Sequence, residues 1–350
     1  MSSTNPATGK RIQKHSKWYD LKKDAKEAEQ EYLKSINRNL FSSSITIRDI
    51  WNSYTNFKKD NLKITSYKAL TNKKQHFETI FNVKAVKFNY NSFQKWKDTI
   101  NHKDFSTRHK NNIYKCLRSL LKYGEKYMNL NFERLLIQMT GFSNPNELKK
   151  EMKFFTYDEF LKFIKVENDL TYKTLFKTLY FCGLRIGEAL ALTWNDIEFS
   201  DDYATIKISK TVTQKIRGEK YIILPPKTKS SNRILPVRNN ALIGDLKALN
   251  GECSKIYGFS SDWFIFGNLY PLAETTIQKR KNNNCEKANV ECIRIHDFRH
   301  SCASLLINKG ASIALVSKYL GHTDITTTLN IYSHMFKSEL DDVAIELANL

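Results

Sequence analysis

Strand-like runs are confined to one part of this chain. YATIKISK, KYIIL and NRILPV fall between residues 203 and 237, and apolar residues recur at helical spacing before and after them. The fold is therefore expected to be mostly helical, with its strands gathered in one small sheet or hairpin. At 350 residues, two or three domains are expected rather than a single core.

The stretch FSSSITIRDIWNSYTNF opens the first extended pattern. Ser44 can cap a helix in which Ile45, Ile47, Ile50, Trp51 and Tyr54 recur at helical spacing. Further helical patterns cover 65–81, 91–101 and 106–128. In the last, Ile113, Leu117, Leu120, Leu121 and Tyr123 alternate with Arg108, Lys110, Lys115, Arg118 and Lys122. One apolar and one basic face suits a helix laid along a duplex, and suits any solvated helix equally. Residues 131–155 are Asn/Pro/Lys-rich with broken periodicity and read as a linker. From Thr156 the texture changes. Thr156 and Glu159 have capping-box spacing, YKTLFKTLYFCGLRIGEALALTWNDI is helical, the strand-like runs follow, and helices are expected to resume at His296.

Charge separates the same two regions. The chain carries +20 overall; residues 1–155 hold 31 Lys+Arg against 14 Asp+Glu, and the rest hold 25 against 22. An excess of that size fits a polyphosphate partner, above all nucleic acid. A lysine-rich coding bias would raise the same residues. No run approaches the roughly 18–20 apolar residues that span a bilayer, and the start MSSTNPATGKRIQKHSKWYD has no apolar core of a signal peptide. Cys116, Cys182, Cys253, Cys285, Cys292 and Cys302 form no CxxC and have no matching His pair. Reduced thiols in a cytoplasmic protein, with no metal and no membrane partner, are expected.

Four short segments carry candidate chemistry. In CGLRIGEALAL, Arg185 lies among apolar residues and must be paired or hold an anion, because an isolated buried charge is too costly. Glu188, three residues on, offers an internal partner, so the pair can be purely structural. In PPKTKSSNRILPV, Pro225 and Pro226 end one strand, and Lys227 projects from the polar turn, with Lys229 nearly as good a candidate. In RIHDFRHSCASLLINKG, His296, Arg299 and His300 stand at i, i+3 and i+4 near a helix start, where backbone N–H groups and the helix dipole favour phosphate. In ASIALVSKYLGHTDITTTLNIYSH, a helix is expected to end at Gly321; His322 follows, and Tyr332 lies on the next short helix. A core aromatic is the usual fate of a tyrosine, but three threonines, Asn330 and Ser333 make this neighbourhood polar.

Two arginines, histidines, a turn lysine and a tyrosine suit phosphoryl transfer. Two guanidiniums can clamp the non-bridging oxygens of a phosphodiester and stabilise the charge that grows in a five-coordinate transition state. A tyrosine can attack phosphorus, and a lysine can protonate the leaving 5′ oxygen while histidines orient phosphate and shuttle protons. The sequence shows neither the paired carboxylates of a two-metal nuclease nor a Walker motif, so no cofactor is expected.

In that order and spacing, GLRIGEALAL, HDFRH and GHTDITTTLNIYSH resemble the arginine boxes of the tyrosine recombinases, specifically the integrases of phages, conjugative transposons and genomic islands. The resemblance covers about residues 6–350. It implies Tyr332 as nucleophile, Arg185 and Arg299 as phosphate clamps, Lys227 as general acid, and His296 and His322 as phosphate-binding and proton-transfer groups. Glu188 and His300 would be supporting. The implied fold is a mostly α catalytic domain with a small β-sheet or hairpin (α+β) over 156–350. Ahead of it would lie an all-α SAM-like core-binding domain over 44–130 and a partial arm-binding domain over 1–40, with a linker over 131–155. Arg108, Lys110, Lys115, Arg118 and Lys122 are the DNA-binding candidates. In relatives a strand precedes the NPATGK-like turn, and here that strand is expected to be missing.

The resemblance implies integration and excision of a mobile element at double-stranded DNA attachment sites. It also implies a cytoplasmic, nucleoid-associated protein working with an excisionase or directionality factor and a host DNA-bending protein. In the tail, Leu340, Val343, Ala344 and Leu347 form an apolar stripe. That stripe can pack on its own domain or, as the family implies, dock on a neighbour to make a homotetramer on DNA. A regulator that kept the fold would show gaps in the catalytic set, and the sequence has none; a topoisomerase of the same chemistry would need neither arm segment nor docking tail.

Overall fold

The computed structural model describes residues 2–4, 11–13, 22–28, 44–147, 152–214, 218–226, 231–333, 345 and 347–348. The chain divides into two units, Met1–Lys149 and Lys150–Leu350.

The first unit begins with a short antiparallel pair, β1 (Ser2–Thr4) and β2 (Arg11–Gln13), with Ser3 opposite Ile12. A strand therefore does precede the NPATGK segment, contrary to expectation; Ser-Ser-Thr has no apolar alternation to mark it. Residues 22–28 are helical (α1). Helix α2 (Ile47–Lys59) starts two residues later than Ser44 suggests, because Thr46 and Asp49 close a reciprocal capping box. The helical pattern over 65–81 is broken. Only α3 (Ile64–Thr71) is α-helical, and the 3-10 turns Asn72–His76 and Glu78–Ile80 follow. There the Trp96 indole N–H donates to the His76 carbonyl at 2.8 Å, and Phe77, Ile80 and Phe81 are all buried. Helix α4 (Tyr90–Asn101) is capped by Asn89 and α5 (Thr107–Met128) by Ser106.

The expected linker is shorter than 131–155. Residues Glu133–Gln138 form helix α6, and Leu135, Leu136, Met139 and Phe142 join the core built by α2, α4 and α5. Asn111 fixes this segment by donating to the Phe142 carbonyl and accepting from its N–H. A polar side chain performs that attachment, so the apolar periodicity gave no sign of it.

In the second unit, Thr156 and Glu159 form the expected capping box at the start of α7 (Tyr157–Lys165). Helix α8 (Leu170–Cys182) ends at Gly183, whose φ of 59° is left-handed. A single turn, α9 (Ile186–Ala189), follows. Strands β3 (Ile197–Phe199), β4 (Ala204–Ile208) and β7 (Arg233–Val237) make an antiparallel sheet in the order β3-β4-β7, and β5 (Thr211–Thr213) pairs with β6 (Ile222–Leu224).

Helices resume well before His296, at α10 (Asn240–Ser254) and α11 (Glu274–Ala288). The second of these, ETTIQKRKNNNCEKA, buries Lys281 and Asn284 beside Ile277 and Cys285, so its inner face is not marked by apolar residues. Then come α12 (Asp297–Asn308), α13 (Ile313–Leu320), which ends at left-handed Gly321 as expected, and α14 (Ile325–Tyr332). No helix among the described residues is long and apolar enough to cross a membrane.

Candidate active site

The sharp turn after α8 sets the geometry. Gly183 reverses the chain, and Arg185 becomes the residue before α9 rather than part of a continuous helix. Its Nη1 donates to Glu188 Oε1 at 2.7 Å, its backbone N–H donates to Oε2 at 3.1 Å, and about a third of the side chain stays exposed. Glu188 is buried. Burial alone would raise its pKa, but Arg233 and then Arg185 outweigh that and hold the carboxylate below its usual range.

Arg299, on the first turn of α12, is 2% exposed. Its Nη1 donates to the Gly183 carbonyl at 2.8 Å and its Nη2 to the Leu320 carbonyl at 2.5 Å. One guanidinium thus joins the turn that carries Arg185 to the end of α13, two residues before His322. Burial and then the nearby Arg185 charge pull its pKa down to about 9, against the opposing pull of Glu188, which leaves it cationic at neutral pH.

Of the three histidines, His296 is exposed at the start of α12, with its ring 5.3 Å from that of His300. Partial desolvation, then Arg299, lowers its pKa. His300 places Nδ1 2.6 Å from the Tyr332 hydroxyl. Burial, then His296, drops its pKa to about 4, so the neutral ring can accept the phenolic proton. On its other side the buried Asp297 carboxylate lies 4.0 Å from Nε2. His322 has Nδ1 2.7 Å from Thr328 Oγ1, and burial, then Arg299, brings its pKa to about 4 as well.

Tyr332 is only 1% exposed, in a pocket with Cys302, Ala303, Ile307, Val316 and Leu320. Despite its polar sequence neighbours, it is covered like a core residue; Thr326, Thr327 and Asn330 of α14 turn outward, while Thr328 and Tyr332 turn in. Burial raises its pKa, with Arg299 opposing.

The structure thus brings together Arg185, Glu188, Arg299, His296, His300, His322 and Tyr332. Lys227 and Lys229 lie outside the described residues, as do Leu340, Val343 and Ala344 of the tail; Leu347 is exposed. Among the DNA-binding candidates, Arg108, Lys115 and Lys122 are exposed at seven-residue intervals along α5. Lys110 is tied to Asn101, and Arg118 to the Tyr114 hydroxyl. Sequence reasoning missed Arg233 and Asp297. Arg233 had a legible signal, because it shares the inward period-2 face of NRILPV with Leu235 and Val237.

Comparison with known proteins bears on the family and the fold. The model of the phage integrase family matches residues 150–339. The ICEBs1 integrase of Bacillus subtilis (strain 168) is 32% identical over 209 residues, 58% of this chain and 56% of that protein. The probable integrase/recombinase of Acholeplasma phage L2 is 25% identical over 297 residues, covering 80% of this chain and 92% of the relative. The chain spans less than two thirds of the length of the first curated relatives it matches. In fold it is similar to the Tn1549 transposon integrase solved with transposon right end DNA, with a TM-score of 0.68 and 18% identity over 86% of this chain and all of that one. With more than half its length matched, from just before α7 to just beyond Tyr332, the chain belongs to the phage integrase family.

Proposed function

We propose that this chain is a site-specific DNA recombinase of integrase type, cutting and rejoining DNA to integrate or excise a mobile element. The observation that carries the reading is the convergence on Arg299, which ties the Arg185 turn to the His322 segment one residue away from the His300–Tyr332 hydrogen bond. Arg185 and Arg299 hold the non-bridging oxygens of one phosphodiester, with His296 and His322 at its edges. The Tyr332 oxygen attacks phosphorus, and its proton passes to the neutral His300 ring. The bond from phosphorus to the 5′ oxygen breaks, Lys227 protonates that oxygen, and a 3′-phosphotyrosyl link remains. Attack by a 5′ hydroxyl from a second duplex reverses the step and exchanges strands. Because Tyr332 is covered in the free chain, α14 must shift before attack.

The substrate is a double-stranded attachment site, gripped by the 44–130 segment through Arg108, Lys115 and Lys122, with the protein cytoplasmic and nucleoid-associated when active. An excisionase or directionality factor and a host DNA-bending protein set direction. The tail docks on a neighbouring protomer to give a homotetramer on DNA. Ile345 and Leu347 are exposed, and an apolar groove lined by Ile234, Pro236, Leu315 and Ile325 offers a seat for them. An Ile234→Asp protein should bind one site normally but fail to pair two in sedimentation; normal pairing would remove the groove from the proposal.

The central experiment is adduct trapping. Wild type and Tyr332→Phe are mixed with a suicide duplex carrying the element's attachment core and run on denaturing gels. A covalent adduct with wild type alone is expected. Retarded DNA without an adduct from either would leave a DNA-binding protein without the chemistry, and an adduct from the Phe variant would assign the nucleophile elsewhere.

A further inference from the structure

Arg233 begins β7, and its side chain is 8% exposed. Three separate donors are engaged. Nη2 reaches Glu188 Oε2, Nε the Tyr319 carbonyl and Nη1 the Ser231 carbonyl, each at 3.1 Å. Glu188 therefore divides its oxygens between two arginines, with Oε1 on Arg185 and Oε2 on Arg233. The Tyr319 carbonyl is one peptide away from the Leu320 carbonyl that holds Arg299. Arg233 thus ties the start of β7 to the carboxylate behind Arg185 and to the last turn of α13.

Charge gives this placement a consequence. Arg185, Arg233 and Arg299 against Glu188 leave a net +2 at the site. A phosphodiester brings one negative charge, and its five-coordinate transition state approaches two. Without Arg233 the carboxylate would be balanced by Arg185 alone, and the net charge facing phosphate would fall to +1. We propose that Arg233 is a positioning residue, binding Glu188 so that Arg185 can give its charge to the scissile phosphate. The inference rests on the reading of Arg185 and Arg299 as phosphate clamps.

Single-turnover adduct formation on the suicide duplex tests it, with gel retardation and thermal unfolding measured in parallel on the full chain. Arg233→Met should slow adduct formation about a hundredfold, the scale of losing one preorganised charge-stabilising donor, while retardation changes little. The diagnostic variant is Arg233→Met combined with Glu188→Gln. It returns the site to +2 and keeps an acceptor for Arg185, so it should react at least about tenfold faster than Arg233→Met alone, since a restored charge recovers part of that loss. A purely structural ion pair would give no such rescue. A double variant as slow as the single one, or an Arg233→Met protein at wild-type rate, overturns the proposal. Should Arg233→Met not fold, Arg233→Lys carries the test: it keeps the charge and should stay within about tenfold of wild type, whereas a rate as low as that of Arg185→Gln overturns it. Arg185→Gln at wild-type rate would instead overturn the clamp reading. Wild type without adduct would remove both.

Discussion

His300 and His322 are held neutral inside a site full of positive charge, and that has a measurable cost in acid. Both are pushed from the usual 6.5 to about 4, chiefly by burial, with His296 next for the former and Arg299 for the latter. The unfolded chain binds a proton on each near pH 6.5 and the folded chain does not until about 4. The stability that depends on their neutrality is therefore complete above about 6.5 and is lost as pH falls toward about 4. Each contributes a slope of about 1 kcal/mol per pH unit within that window. Denaturant unfolding from pH 7 to 4 should show a steep fall in wild type and a shallower one in a His300→Gln/His322→Gln protein. Equal slopes would mean that the rings are already solvated. The same neutrality is what lets the His300 Nδ1 accept from Tyr332.

At the scale of elements, the Gly183 turn is the point on which the site depends. A Cβ there would lie 2.6 Å from Leu320 Cδ2 and 3.0 Å from Cys302 Sγ, in a backbone conformation that L residues rarely adopt. Its carbonyl also holds Arg299. Gly183→Ala should destabilise the catalytic unit by about 1–3 kcal/mol and slow adduct formation even in folded protein. A stable variant of normal rate would show that the turn has slack. This turn was only partly legible in the sequence. Caps written in local chemistry, such as Thr156 with Glu159 and Gly321, were readable because each acts within four residues. Arg185 read as a position inside a helix, since its actual place depends on the Arg299 guanidinium, 114 positions later in the sequence. The break after α3, the Asn111 clasp on residues 131–142 and the burial of Tyr332 are likewise long-range polar or packing effects that periodicity does not encode. The types of residue at the candidate site were legible, because charges in apolar surroundings stand out; their mutual partners were not.

For the whole molecule, the uneven charge acquires a location in α5. Its inner face, Ile113, Leu117, Leu120, Leu121 and Gly124, is buried in the first unit's core, and Arg108, Lys115 and Lys122 line up on the outside at every second turn. A stripe repeating over about 10 Å steps, seven residues at 1.5 Å each, can track phosphates along a duplex, whereas scattered surface lysines cannot. The two readings of the +17 half, DNA contact and a lysine-rich bias, differ in what salt does. Each phosphate contact adds about 0.9 to the slope of log affinity against log salt. If the stripe grips DNA, replacing Arg108, Lys115 and Lys122 by Gln should lower that slope by roughly 2–3, equally on cognate and random duplexes, because phosphate contacts carry no base information. The three positions are exposed, so the first unit should stay folded through the change. A slope unchanged by the triple substitution would place the DNA contact on another face of this unit, and α5 would then be an ordinary solvated helix.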